Sequence, residues 1–158
     1  MTACCVTFPQ LVCLTCISDL ETFPLGYDLL LDNPKASEQI NHQYINGINL
    51  VAEYQFPFDR ILPQLKFHQQ TIHAKWLGGM MLNSLQYCPW PQFEVVIPIP
   101  LHQNRIQQRE YNQSELISRF AQPTSVQTKL LTRTKATKAQ SKLTPQDRKR
   151  NVKNAFYC

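Results

Sequence analysis

A chain of 158 residues, 43% of them hydrophobic, can close a core of ordinary domain size, which excludes disorder throughout. It contains no run of eighteen apolar residues and no basic, apolar start of the signal-peptide kind, so the expectation is a cytoplasmic protein with no membrane partner. The net charge of +5 is unevenly placed: residues 1–100 hold four Lys/Arg against eight Asp/Glu, whereas residues 101–158 hold twelve against three, a local charge of +9. Such a block either attracts a phosphate-bearing partner, a nucleic acid or a small phosphorylated ligand, or is a solvated basic tail.

Residues 1–50 read as an irregular N-terminal segment with little compact structure, carrying Cys4, Cys5, Cys13 and Cys16 and then a polar stretch from Asp32 to Asn49. Six cysteines in a chain read as cytosolic argue against a disulfide framework. Cys13 and Cys16 have the two-residue gap of a zinc pair, but a structural zinc needs four ligands, and only Cys4 or Cys5 and His42 are at hand to complete the set. The competing reading is two buried free thiols.

From residue 51 the pattern tightens into a second region, 51–158. Ile72, Trp76 and Met80, with Leu77, Met81 and Leu85 beside them, predict an amphipathic helix over about residues 68–86, ended by Pro89 and Pro91. Phe93-Glu94-Val95-Val96-Ile97, bounded by prolines, suits a buried strand. An arginine-containing loop follows. Asn112 can then accept from the free amides of a helix start, with Glu115 three residues on in a capping-box arrangement and Leu116, Ile117 and Phe120 as the apolar face, up to about Pro123. A short strand near 129–132 and a weakly patterned, mobile cationic loop over 133–153 complete the prediction. Strand, loop and helix over 93–122 form the leading half of a βαβ unit, so the fold class expected is α/β. A strand feeding a helix N-terminus is an anion site in outline, and Arg105 and Arg109 add forked donors suited to phosphate oxygens.

Several short patterns resemble the ComF family. Pro98-Ile99-Pro100-Leu101 with Arg105, Arg109-Glu110-Tyr111-Asn112-Gln113 and Glu115-Leu116 is similar to that family's Pro-Val-Pro strand exit followed by Arg-Gly-Phe-Asn-Gln. Gln140, Leu143, Arg148, Asn151-Val152 and Ala155-Phe156 resemble its Gln-x-x-Leu-x-x-x-x-Arg-x-x-Asn-Val-x-x-Ala-Phe segment with identical spacing, and Ile61-Leu62 with Leu65-Lys66-Phe67 resembles Ile-x-x-Leu-Lys-Tyr. Together these cover roughly residues 54–158. The resemblance implies the N-terminal part of a type I phosphoribosyltransferase-like domain, an incomplete parallel sheet preceded by degenerate zinc-ribbon cysteines. It implies a diphosphate site at Arg105, Arg109, Asn112 and Gln113, a flexible lid containing Gln140 and Arg148, and magnesium with phosphoribosyl diphosphate as cofactor and substrate. The role implied is natural transformation and DNA uptake, with single-stranded DNA and DNA-uptake proteins as partners.

Two departures temper that implication. The family's Gly after the motif arginine is Glu110 here. Its strand ending in two acidic residues followed by Thr-Thr-Gly is missing: no two acidic residues are adjacent, and Gly26, Gly47, Gly78 and Gly79 all lie in the first half. The expectation is therefore a truncated, catalytically inactive chain of low stability. The alternative expectation is a non-catalytic module that binds single-stranded nucleic acid through the basic segment 129–153.

Overall fold

The computed structural model describes residues 19–90, 93–121, 126–140 and 143–158. The chain divides into two compact units, Met1–Gln92 and Phe93–Cys158, so the structural boundary falls about forty residues later than the one expected at 50/51.

In the first unit, the stretch expected to be irregular is organised around one carboxylate. Antiparallel bridges Thr22↔Ala52 and Asp28↔Asn49 close residues 22–52 into a loop. Inside it lie two short helices, α1 (Leu29–Asp32) and α2 (Pro34–Glu38). Asp28 caps α1 and Asn33 caps α2, whose first residue is proline; each cap oxygen satisfies an amide that a helix start leaves open. Asp28 is 1% exposed, and its carboxylate accepts from the amides of Leu30 (2.9 Å) and Ile48 (3.0 Å) and from the Trp90 indole (3.2 Å). Composition misses this because a single buried acid can organise a segment that carries no periodicity.

Helix α3 (Phe58–Phe67) buries Phe58, Ile61 and Leu65, one apolar stripe at helical spacing. Helix α4 (Ile72–Leu85) is shorter than the expected 68–86, because Gln69 takes a left-handed backbone (φ 55°) between the two helices. Its buried face is Ala74, Leu77 and Gly78 with His73 and Ser84, rotated from the expected one, so that Ile72 stays 47% exposed. Phe58 stacks on Trp76 at 5.6 Å, and the buried His73 shares its Nε2 between the side-chain oxygens of Gln64 (2.8 Å) and Gln70 (2.9 Å), joining α4 to α3. The expected zinc ligands Cys13 and Cys16, with Cys4 and Cys5, lie outside the described residues. His42 is exposed, 3.5 Å from the Ser37 hydroxyl. Among the described residues no three His, Cys, Asp or Glu side chains gather to hold a metal, and no helix is long and apolar enough to cross a membrane.

In the second unit, the strand expected at 93–97 makes one parallel bridge, Val96↔Val126, with the Gln127 amide donating to the Val96 carbonyl at 2.9 Å. Beyond that bridge, the expected parallel sheet does not form among the described residues. Pro98 and Pro100 follow at once and supply no amide to extend a ladder. The supposed arginine loop is helix α5 (Gln103–Arg109), started by His102, whose Nδ1 accepts from the Asn104 amide at 3.3 Å. Its Gln- and Asn-rich sequence has no apolar stripe to betray it. Helix α6 (Gln113–Ala121) buries Ser118 and Ala121, and Asn112 starts it as expected, accepting from the Ser114 amide at 3.0 Å. Glu115 does not complete a capping box in the described contacts; it pairs with Arg119 one turn on, at 2.8 Å.

Strand β1 (Thr132–Arg133) lies antiparallel to β2 (Phe156–Tyr157), with Thr132 opposite Tyr157 and Arg133 opposite Phe156. Between them the stretch expected to be a mobile loop contains helix α7 (Pro145–Val152). Thr144 starts α7, accepting from the Asp147 amide (3.3 Å) while its hydroxyl meets the Asp147 carboxylate (2.7 Å).

Candidate anion-binding site

Arg105 and Arg109 are four residues apart on α5 and so share one face of it. Arg133 enters from β1. Each is partly buried. Arg105 donates to the Thr137 carbonyl (3.4 Å), while Arg133 donates to the hydroxyl of the same Thr137 and stacks over the Phe156 ring at 5.3 Å from its centroid. Arg109 donates to the side-chain oxygen of Gln113 at 3.2 Å. Burial, and then the charge of Arg105, lower the proton affinity of both Arg109 and Arg133, with Tyr111 partly offsetting this for Arg109. Burial pushes the Tyr111 phenol up against the opposing pull of Arg109. The fold thus holds like charges close enough to repel. The acceptors that Arg105 and Arg133 reach are neutral oxygens of Thr137, and the Nε of Arg133 is buried with no partner among the described residues. A gathered set of cations with an unsatisfied buried donor is suited to an anion that brings several oxygens.

The other expected site residues have definite places. Asn112 bridges outward from its cap position, donating from Nδ2 to the Ile99 carbonyl at 3.0 Å, and so ties the exit of the extended segment to the start of α6. Gln113 orients Arg109. Gln140 and Arg148, expected in a flexible lid, come together: Arg148 Nε donates to the carbonyls of Gln140 (3.0 Å) and Leu143 (3.2 Å). Asn151 accepts from the Lys138 amide (3.1 Å), donates to the Lys138 carbonyl (3.0 Å) and reaches the Gln140 side-chain oxygen (3.4 Å). Ala155 is fully buried. The patterned segment is thus internally braced around α7. Arg133 and Thr137 escaped the sequence reading. The one available signal for Arg133 was its place between two threonines, a β-prone setting for an arginine facing one side of a strand.

Glu110 closes α5 with a left-handed backbone (φ 67°, ψ −10°), a conformation that disfavours any residue with a Cβ. This is the position at which the ComF pattern has glycine. Replacing Glu110 with Gly is expected to stabilise the second unit by about 1 kcal/mol, with Glu110→Asn gaining less. Thermal unfolding followed by circular dichroism checks it; a lower melting temperature for Glu110→Gly would show that the side chain's contacts outweigh the backbone cost.

No protein-family model matches the chain, and no solved structure matches it. The chain is 34% identical over 116 residues to the DNA utilization protein YhgH of Shigella flexneri, and 33% identical over the same length to that of Escherichia coli strain K12. The protein of that name from Salmonella typhi is 30% identical over 116 residues. Each match takes in 67% of this chain and 50% of the relative, so the chain spans about half the length of the relatives it matches.

Proposed function

We propose that the chain is a ComF-like, phosphoribosyltransferase-related protein serving DNA utilisation, and that its second unit binds the diphosphate of a phosphoribosyl compound through Arg105, Arg109 and Arg133. The observation that carries this is the convergence of these three guanidiniums, one with a buried Nε that has no partner among the described residues. The relatives, which are DNA utilization proteins by name, support the DNA role, and the ComF-like patterns support the diphosphate. On this reading these residues supply the diphosphate contacts, and residues 1–158, with no adjacent acidic pair and no glycine after Gly79, do not themselves supply the ribose-phosphate cradle. The described residues also offer no acidic cluster for magnesium.

Titration calorimetry with inorganic pyrophosphate and with phosphoribosyl diphosphate tests the reading. Arg105→Ala and Arg133→Ala should each weaken binding by about tenfold or more, the worth of a charge-assisted hydrogen bond to phosphate. Unchanged affinity in both would remove the site.

A second reading has its own support. Residues 93–158 hold twelve Lys/Arg against four Asp/Glu, and Lys135, Lys138, Lys149, Arg150 and Lys153 are exposed, a surface suited to the backbone of single-stranded DNA. It is favoured if the same titrations show oligonucleotide binding that falls steeply with salt and is indifferent to Arg133→Ala.

A further inference from the structure

Two guanidiniums that repel each other need a fixed neutral acceptor between them if they are to stay together before an anion arrives. Thr137, 9% exposed, fills that description: its carbonyl takes Arg105 and its hydroxyl takes Arg133. Its own place is set by the next residue. Both backbone groups of Lys138 are held by the amide of Asn151, which acts as a neighbouring peptide would in a sheet. Arg148 gathers the carbonyls of Gln140 and Leu143 onto the same helix. The arginines and the braced segment therefore meet at one residue.

We infer that Thr137 is the positioning residue of the arginine site: it holds Arg105 and Arg133 in place for an oligophosphate and, through the Lys138–Asn151 clamp, couples their occupation to the order of residues 137–140. The inference rests on the diphosphate reading above and adds to it a residue that carries no charge and need not touch the ligand. An entering diphosphate takes the remaining donors of Arg105 and Arg133. That neutralises their repulsion, tightens both against Thr137 and reduces opening of the peptide groups beside it.

The test uses the full chain, inorganic pyrophosphate, and the variants Thr137→Val and Thr137→Ser. Valine keeps the shape and removes the hydroxyl; serine restores it. Thr137→Val should bind pyrophosphate about tenfold more weakly, while Thr137→Ser stays within about twofold of the original chain. Hydrogen exchange on the unaltered chain should show pyrophosphate protecting the amides from Lys138 to Gln140, an effect retained with serine and lost with valine. If Arg105→Ala and Arg133→Ala weaken binding but Thr137→Val does not, the positioning role is wrong and the diphosphate site stands. If neither arginine change weakens binding, or the unaltered chain binds no pyrophosphate, the site reading fails and this inference with it. Should Thr137→Val not fold, the exchange experiment on the unaltered chain still decides, since absent protection overturns the coupling.

Discussion

Replacing Asp28 with Ala is expected to cost the first unit about 3–5 kcal/mol, because two backbone amides and an indole N–H are left buried without an acceptor. The effect is unusually easy to observe. Both tryptophans of the chain, Trp76 and Trp90, lie in the first unit, so their fluorescence reports its unfolding alone. Asp28→Asn should lose less, since one side-chain oxygen can still serve Leu30 and Ile48 while the new NH2 group opposes Trp90. The acid side of the stability curve carries the same signature. Burial taken alone would raise the Asp28 carboxyl; the amides of Ile48 and Leu30 and the Trp90 indole outweigh it and hold the group below the usual carboxylate range. The folded form therefore binds this proton less readily than the unfolded chain, whose carboxyl titrates near pH ~3.9. The contribution is complete above that pH and disappears as the pH falls through the lower folded value. Asp28→Asn should lack this component of acid unfolding. An Asp28→Ala chain unfolding in denaturant within about 1 kcal/mol of the original would refute the central role of the carboxylate.

The second large effect belongs to Leu65. It is fully buried, beside Ile61 on the interior face of α3, and truncation to alanine should cost about 3 kcal/mol through lost burial and the cavity left behind. Phe67, two residues on, is 66% exposed, and Phe67→Ala should cost about 1 kcal/mol or less. The pair separates two meanings of the Leu65-Lys66-Phe67 pattern. A loss at Leu65 alone marks it as core packing; comparable losses at both positions would show that Phe67 is covered in solution. Tryptophan fluorescence during urea unfolding reads both, since Trp76 stacks on Phe58 of the same helix.

How far the sequence reaches depends on whether local chemistry or distant contact decides. Asn112 at the start of α6 was legible because a side-chain oxygen meeting a free amide is a local event. The helix containing Trp76 was legible from its spacing, though its buried face was not, since Gln64 and Gln70 recruit His73 inward. Helix α5 and helix α7 lack apolar stripes; what holds them is capping by His102 and Thr144 and, for α7, the contacts of Arg148 and Asn151 with the preceding turn. The order around Asp28 joins residues up to sixty-two positions apart and could not be read from any window. In the site, Arg105 and Arg109 were visible as phosphate-suited residues on one segment, whereas Arg133 and Thr137 meet them only through the fold.

The β1–β2 pairing has a consequence for how the site comes into being. Arg133 is seated by Phe156, and the Thr134 amide donates to the Ala155 carbonyl at 3.0 Å. On the ribosome, α5 and both of its arginines emerge well before the partners that immobilise Arg133. The cluster therefore has its full geometry only after residue 157 has cleared the exit tunnel, so the arginines of α5 wait, during synthesis, for the strand that seats Arg133.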